Sequence, residues 1–191
     1  MEIKTCKDLH WENEKFSEYA VLSFVFNKET DEALLIHKKR GLGNGKINAP
    51  GGRIDPDESD FEAAVRETRE EVCITPKNVK KAGELNFYFT DGYSLKGFVF
   101  VSQEYSGEIK ETDEALPFWC KLSEIPYENM WADDKFWLPL MLAGKKFSGY
   151  FIFDDDKMLD KSIIVDENLP LKYDKNWHPS KRRTACLQKN T

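Results

Sequence analysis

The chain has 191 residues, of which 34 are acidic and 28 are basic, giving a net charge of −6. This length suits one ordinary domain with a full hydrophobic core. The acidic balance argues against a nucleic-acid-binding surface, because such surfaces depend on Lys and Arg to neutralise phosphates. It does not exclude a single nucleotide as ligand, since a bound divalent cation can reverse the local field.

No segment of the sequence predicts a membrane location. The N-terminus, MEIKTCKDLHWENEKF, is polar and lacks the apolar core of a signal peptide. No apolar run approaches the roughly 20 residues that cross a bilayer. We therefore expect a cytoplasmic protein with no membrane partner, and we take a monomer as the expected state. The four scattered cysteines predict reduced thiols and no zinc site.

Strands and turns alternate from Tyr19 onward. YAVLSFVF and ALLIHKK, separated by the polar turn NKETDE, predict a β-hairpin. GLGNGKINAPGG predicts a loop with unusual backbone angles. A helix follows, and a last helix is predicted from Lys135 to about Leu142. Four further strands are predicted, in GELNFYFT, LKGFVFVSQ, ALPFWCKL and FSGYFIF.

This order of elements predicts an α/β (α+β) fold, in which a mixed β-sheet core is sandwiched between helices. We divide the chain into an N-terminal extension (1–18), one catalytic domain (19–166) and a C-terminal tail (167–191). The tail lacks periodicity and carries the basic run Lys181–Arg183. We expect it to be loosely attached or disordered.

The most informative segment is GGRIDPDESDFEAAVRETREEVCI, Gly51 to Ile74. Ser59 and Glu62 have the spacing of a capping box, which predicts a helix from about Asp60. At about 100° per residue, five residues form one apolar face centred on Phe61, and three glutamates lie together away from the core. The apolar face comprises Phe61, Ala64, Val65, Thr68 and Val72, and the acidic face comprises Glu67, Glu70 and Glu71.

Three carboxylates on one helical face have two interpretations. Taken alone, the spacing is more typical of a solvated surface, where such charges repel each other slightly. Hard oxygen ligands that converge on one face are also what Mg²⁺ or Mn²⁺ requires. The surrounding sequence decides between the two.

The segment resembles the Nudix box, G-x5-E-x7-R-E-U-x-E-E-x-G-U, where U is a bulky aliphatic residue. Matching positions are occupied by Gly52, Glu58, Arg66, Glu67, Glu70, Glu71 and Ile74. Thr68 departs from the aliphatic position, and Cys73 replaces the glycine that ends the family's helix. If the backbone at Cys73 is left-handed, the side chain there costs about 1–2 kcal/mol.

The resemblance implies a Nudix fold and a hydrolase that uses Mg²⁺, with Mn²⁺ as an alternative. It implies that Glu67, Glu70 and Glu71 bind the metal, together with the Gly51 carbonyl and Glu114. Arg66 would orient these carboxylates, and Glu58 would support the loop–helix junction. One of the glutamates, or Glu114, would accept the proton of the attacking water. The sequence does not distinguish among them.

The resemblance extends from about Tyr19 to Asp166 and is to the branch of the family that hydrolyses oxidised purine nucleoside triphosphates. It rests on KKRGLGNGKINAPGG, TDEALPFW and MWADDKFWLPLMLAGKKFSGYFIF. It implies release of the monophosphate and pyrophosphate from a small nucleotide substrate. The residues that it places at the substrate are Asn48, Asp133, Asp134, Trp131, Phe87, Phe89 and Lys38.

The paired aspartates suit recognition of a purine edge. Two carboxylates in an apolar pocket do not both ionise easily, so one can donate a hydrogen bond while the other accepts one. By spacing alone Asp133 and Asp134 are more typical of an ordinary N-cap before a short helix, and the adjacent Trp131 with the flanking match favours the pocket role. Leu42 replaces an aromatic residue of the relatives, as do Ile47 and Pro50, which leaves the preference between oxidised guanine and oxidised adenine open.

Three other functions stay open at this point. The first is a different Nudix activity, on nucleotide sugars, dinucleoside polyphosphates or capped RNA. The second is a non-catalytic Nudix module that binds a nucleotide or a protein, although such modules usually lose glutamates from the box. The third is an isoprenoid diphosphate isomerase on the same fold, which would leave the base-edge residues unexplained.

Overall fold

The computed structural model describes residues 3–168, 170, 171 and 173. The basic run Lys181–Arg183, Cys186 and most of the predicted tail lie outside these residues. No helix in the described part of the chain is long and apolar enough to cross a membrane.

The described residues form ten strands and two α-helices, with three short 3₁₀ helices at Cys6–Asp8, Trp11–Asn13 and Tyr127–Asn129. The α-helices are α1 (Asp60–Val72) and α2 (Asp134–Leu142). The strands are β1 (Glu18–Asn27), β2 (Glu32–Lys38), β3 (Ile47–Asn48), β4 (Ile74–Lys77), β5 (Lys80–Phe89), β6 (Ser94–Ser102), β7 (Glu104–Gly107), β8 (Ala115–Lys121), β9 (Lys146–Asp154) and β10 (Lys157–Asp166).

Eight strands form one mixed sheet in the order β10-β9-β5-β6-β1-β2-β3, with β8 paired to β2. The β1–β6 and β5–β9 pairs are parallel, and the remaining pairs are antiparallel. Strands β4 and β7 form a separate antiparallel pair. The ends of β1 and β2 pair as the predicted hairpin, with Phe26 opposite Ala33.

The two helices cover opposite faces of the sheet, as the alternation of side chains along β1 requires. Val21 packs with Ala63 and Ala64 of α1. Phe24 packs on the other face, with its ring centroid 5.9 Å from that of Trp137 in α2. The prediction of a mixed sheet between helices is therefore confirmed.

Helix α1 begins where the capping box predicts, but its buried face differs from the predicted one. The Ser59 hydroxyl accepts a hydrogen bond from the Glu62 N–H, and the Glu62 carboxylate accepts one from the Ser59 N–H. Phe61, predicted at the centre of the apolar face, is 47% exposed. Glu71, predicted to lie away from the core, is 1% exposed. The prediction was wrong for both residues. Glu71 is buried because the loop before the helix lies against it, with the Gly51 N–H donating to its carboxylate. Phe61, in contrast, lies in the first turn of the helix and meets the Phe100 ring edge-on.

Four strands were not predicted, namely β3, β4, β7 and β10. The first three are two to four residues long and bury few side chains. Strand β10 lies at the edge of the sheet, and its apolar residues stand in two short runs, Met158–Leu159 and Ile163–Val165, separated by Asp160, Lys161 and Ser162, with no regular alternation. Such edge strands give a weak sequence signal, because only one face packs against protein.

Both ends of the described chain pack against the domain. Cys6 is buried, and its N–H donates to the Asp160 carboxylate at 2.7 Å. Leu171 and Tyr173, which fall in the predicted tail, pack against the main core, and the Tyr173 hydroxyl donates to the Met141 carbonyl. The domain boundaries stay a prediction.

Cys73 follows the last residue of α1 with φ of 64° and ψ of 17°, in the left-handed region. Its N–H donates to the Arg69 carbonyl at 3.0 Å, which ends the helix. A residue with a Cβ is strained at such an angle, and glycine is not.

Replacement of Cys73 by glycine should raise the free energy of unfolding by about 1 kcal/mol, because the strain at the helix end is relieved. Equilibrium unfolding in urea measures the change. The control is Cys73→Ala, which removes the thiol but keeps the Cβ and so should bring no comparable gain. An equal gain in both variants would show that the thiol, not the backbone angle, is responsible.

Candidate active site

Two glycines bring the loop before α1 into close contact with β1 and with the helix. A Cβ at Gly51 would lie 2.1 Å from the Val21 carbonyl oxygen, and one at Gly52 would lie 2.4 Å from the Glu67 carboxyl carbon. The Val21 N–H donates to the Gly52 carbonyl at 2.9 Å, which holds the loop along β1. Only glycine permits this approach, so the pair fixes how near the loop lies to the acidic face.

Arg66 connects three of the carboxylates. Its Nε donates to Glu58 Oε2 at 2.9 Å, and Nη2 contacts the other oxygen of Glu58, a two-point contact of the kind guanidinium groups favour. Its Nη1 donates to Glu67 at 2.8 Å and to Glu70 at 3.0 Å. The guanidinium lowers the pKa of the Glu58 carboxyl, so Glu58 is a stable anion at the junction of loop and helix.

Glu71 is held by the loop and by a lysine. Its Oε2 accepts the Gly51 N–H at 2.9 Å, and its Oε1 accepts the Lys38 ammonium at 3.0 Å. Burial raises the pKa of the Glu71 carboxyl, while Lys38 and the Gly51 N–H act in the opposite direction. Burial likewise raises the pKa of Glu67, against the effect of Arg66.

The oxygen atoms of the acidic helix and of the loop before it are of the chemical type that binds a divalent cation. The Glu67, Glu70 and Glu71 carboxylates and the Gly51 carbonyl are hard oxygen donors beside one helix face, and Gly52 leaves the space that the Glu67 carboxylate occupies. In the described residues, no three His, Cys, Asp or Glu side chains converge on one point. The carboxylates point instead to protein cations, Arg66 and Lys38.

Glu114 lies at the rim of this cluster. Its carboxylate pairs with Arg40, and the side chain is 41% exposed. Its negative charge adds to the effects that raise the pKa of Glu71, which places the two carboxylates near each other.

A cavity of about 500 Å³ extends from the acidic cluster to a group of aromatic side chains. It brings together most of the residues that the sequence assigned to the site. Those that line it are Lys38, Asn48, Gly51, Glu67, Glu71, Phe87, Phe89, Glu114, Trp131, Asp133 and Asp134. Glu58, Arg66 and Glu70 do not line it. Arg66 contacts Glu58, Glu67 and Glu70, and Glu70 is 53% exposed.

The acid pair lies at the apolar end of the cavity, with Asp133 2% and Asp134 3% exposed. Asp134 Oδ2 accepts a hydrogen bond from the backbone N–H of Trp131 at 2.9 Å. Asp133 Oδ2 accepts one from the indole N–H of Trp137, also at 2.9 Å. Asp133 Oδ1 is buried and has no hydrogen-bond partner among the described residues. The Asp133 side chain makes no capping hydrogen bond to α2, so a role as N-cap does not explain the buried carboxylate at this position.

Burial raises the pKa of Asp133 to about 6. Burial and the adjacent Asp133 charge raise the pKa of Asp134 well above its usual range. The two carboxyls are therefore not both ionised near neutral pH. The pair can present one donor and one acceptor to a ligand in the cavity.

Aromatic rings form the walls around this pair. The Trp131 ring meets Phe153 edge-on, with centroids 6.0 Å apart, and Phe89 stacks on Phe153 at 5.6 Å. Leu42 lines the cavity and is 53% exposed. Ile47 packs in the main core instead, and the loss of an aromatic residue at that position does not alter the cavity wall.

Sequence reasoning missed several residues that line the cavity. Phe153 belongs to an ordinary apolar strand, and nothing in the sequence separates it from the core. Glu18 and Arg53 form an ion pair at the cavity rim, with Arg53 Nη2 2.7 Å from Glu18. Arg53 directly follows the glycine pair, a position that could have drawn attention to it.

The acidic helix and the glycine pair that precedes it carry the sequence pattern of a Nudix box. The family model of the NUDIX domain matches residues 17–141, and the chain belongs to the Nudix family. Divalent metal ions are the cofactors that Nudix hydrolases generally use, and their substrates are small nucleotides.

Two curated relatives carry the same description, oxidized purine nucleoside triphosphate hydrolase. The one from Danio rerio is 40% identical, over 78% of this chain and 93% of its own length. The one from Mus musculus is 35% identical, over 74% of this chain and 92% of its own length. Among solved structures, a MutT protein from Bacillus halodurans is 29% identical with a TM-score of 0.67, covering 78% of this chain and 97% of its own.

The acid pair should make stability depend on pH. Both folded-state pKa values lie above the ordinary value of 3.8, so the contribution is present at low pH and is lost as pH rises through about 6 and beyond. Replacing Asp133 by Asn removes part of this loss. The difference in free energy of unfolding between the variant and the wild type should shift in favour of the variant by on the order of 1–2 kcal/mol from pH 5 to pH 8.

Urea unfolding at the two pH values measures this gain. Asp57→Asn is the matched control, because Asp57 is exposed in the turn before α1 and lies outside the cavity lining. It should follow the wild-type pH dependence. Parallel pH curves for wild type and Asp133→Asn would contradict the raised pKa of the pair.

Proposed function

We propose that the chain is a Mg²⁺-dependent pyrophosphohydrolase that converts oxidised purine nucleoside triphosphates to the monophosphate and pyrophosphate. The observation that carries the proposal is one cavity of about 500 Å³ whose lining includes both hard oxygen donors of the acidic cluster and the buried acid pair with Asn48. This volume falls in the range of ordinary small-molecule sites. A nucleotide can then place its phosphates and its base at chemically different ends.

At the phosphate end, Glu67, Glu70, Glu71 and the Gly51 carbonyl are the groups that would hold the metal. When bound, divalent cations neutralise phosphate charge and make a water molecule more acidic. Arg66 keeps Glu67 and Glu70 close together despite their like charges, since it donates to both. Water attacks the α-phosphorus, and the bond from this phosphorus to the oxygen of the leaving pyrophosphate breaks. One of the helix glutamates, or Glu114, takes the proton of the water.

At the base end, recognition rests on buried hydrogen-bonding groups. Asp133 Oδ1 is buried and unpartnered in the described part of the chain, so a purine edge would supply its missing partner. Asn48 offers a donor and an acceptor from one amide. An oxidised purine presents a changed set of donors and acceptors, and a buried site discriminates strongly against an edge that leaves its groups unpaired.

The relatives support this substrate class over the alternatives. The two vertebrate proteins named as oxidized purine nucleoside triphosphate hydrolases match three quarters or so of the chain at 35–40% identity. A hydrolase of nucleotide sugars would use the same acidic cluster but gives no reason for the buried acid pair. The cytoplasmic location and the monomeric state stay predictions.

A parallel hydrolysis assay with Mg²⁺ tests the proposal on 8-oxo-dGTP, 2-hydroxy-dATP, dGTP and an ADP-sugar, with products separated by chromatography. We expect selective conversion of an oxidised purine triphosphate to its monophosphate and pyrophosphate. Hydrolysis of the ADP-sugar alone would support the catalytic role of the acidic cluster but would reject the role of the acid pair in recognising an oxidised purine. Absence of any hydrolysis would favour the non-catalytic binding module.

Two variants test the proposed phosphate and base ends of the cavity separately in the same assay. Glu70→Gln should lower turnover of every substrate by several orders of magnitude, because stabilisation by the metal is lost. Asn48→Ala should instead reduce discrimination between oxidised and normal purines while cleavage is retained. Glu128→Gln, at an exposed residue that does not line the cavity, is the control and should match the wild type.

A further inference from the structure

The Lys38 ammonium lies between two of the oxygens that the proposed function assigns to the metal. Nζ is 3.0 Å from Glu71 Oε1 and 3.4 Å from the Gly51 carbonyl oxygen. Lys38 is the last residue of β2, and its side chain is 16% exposed. One protein cation therefore bridges a carboxylate and a carbonyl that offer hard oxygen donors to a divalent ion.

The two oxygens are fixed, whereas the ammonium is carried on a flexible stem. Glu71 is 1% exposed, and its second oxygen accepts the Gly51 N–H at 2.9 Å, so the carboxylate cannot turn away without losing that bond. Gly51 lies against β1 without room for a Cβ. The Lys38 ammonium is carried on a flexible side chain of four methylene groups. When another cation arrives, the lysine is the group that can move.

A divalent ion and the ammonium cannot both occupy this position, because like charges at such separations repel strongly in a partly buried site. The buried Glu71 carboxylate needs a cation beside it, and Lys38 supplies one. Lys38 also lines the cavity, so an ammonium released from Glu71 stays beside the phosphate end. There it can donate hydrogen bonds to phosphate oxygens.

We propose that Lys38 is a temporary cation partner of Glu71, that a divalent metal ion displaces its ammonium from Glu71 and the Gly51 carbonyl, and that the substrate contact implied for Lys38 by the resemblance forms only after this displacement. The proposal rests on the metal assignment of the proposed function. It makes Lys38 a positioning residue for Glu71 before metal binding and a substrate contact afterwards.

The neighbouring lysine provides a matched comparison. Lys39 contacts Glu111 and donates to the Thr112 carbonyl at 2.7 Å, and it does not line the cavity. Lys38→Met and Lys39→Met therefore change the net charge equally, but only the first removes the cation at Glu71. Methionine retains an apolar stem of similar length in both.

Mn²⁺ binding without nucleotide, measured by calorimetry or by electron paramagnetic resonance, tests the displacement. Lys38→Met should bind Mn²⁺ about five- to tenfold more tightly than the wild type, because no charge-assisted bond has to be broken. Lys39→Met should stay within about twofold of the wild type, and Lys38→Arg, which keeps the charge, should not gain affinity. Equal or weaker Mn²⁺ binding by Lys38→Met would overturn the displacement.

The wild-type chain supplies a second test that does not depend on the folding of a variant. Trace acetylation of lysines, followed by peptide mass spectrometry, should show faster labelling of Lys38 when Mn²⁺ is added, with Lys39 unchanged. Unchanged labelling of Lys38 at saturating Mn²⁺ would overturn the proposal. If the wild type bound no Mn²⁺ at all, the metal assignment of the proposed function would fail as well; bound Mn²⁺ with no Lys38 effect would reject the displacement alone.

Discussion

The Arg66 guanidinium holds the acidic end of the site together. Glu67 and Glu70 carry like charges on one helix face and repel each other, and Glu58 lies close to both at the loop–helix junction. Five donors in a fixed planar arrangement let one arginine contact all three carboxylates at once. A lysine could not do this, because a single ammonium has no comparable geometry. Arg66 therefore offsets the like charges of Glu58, Glu67 and Glu70.

The approach of the glycine loop to α1 is the second constraint. Gly51 and Gly52 admit no side chain, and this closeness places a backbone carbonyl and an N–H beside Glu71. The same contact buries Glu71 and so creates the need for a nearby cation. Two cations serve the acidic face: Arg66 pairs with Glu67 and Glu70, and Lys38 pairs with the buried Glu71.

Local signals predicted the parts of the fold that local interactions determine. The Ser59–Glu62 capping box gave the start of α1, and runs of β-branched and aromatic residues gave the long central strands. The burial of Glu71 was not predictable from helix periodicity, because it depends on a loop that precedes the helix. Lys38 illustrates the same limit, since its partner is 33 residues away in the chain.

The candidate site shows a similar division. Spacing identified the acidic helix, and resemblance assigned Asn48 and the acid pair, which the cavity indeed brings together. Phe153 was missed because a residue that lines a cavity and one that fills a core have the same sequence pattern. Phe61 was misplaced for the opposite reason, since a large apolar side chain at helix spacing was assumed to be buried.

The most direct test of a metal-dependent site joined to a base pocket is a crystal structure with Mn²⁺ and a non-hydrolysable oxidised purine triphosphate analogue, with anomalous data collected at the manganese edge. We predict anomalous density among the Glu67, Glu70 and Glu71 carboxylates, with the base against Asp133. Manganese bound elsewhere, with these carboxylates still paired to Arg66 and Lys38, would contradict the assignment.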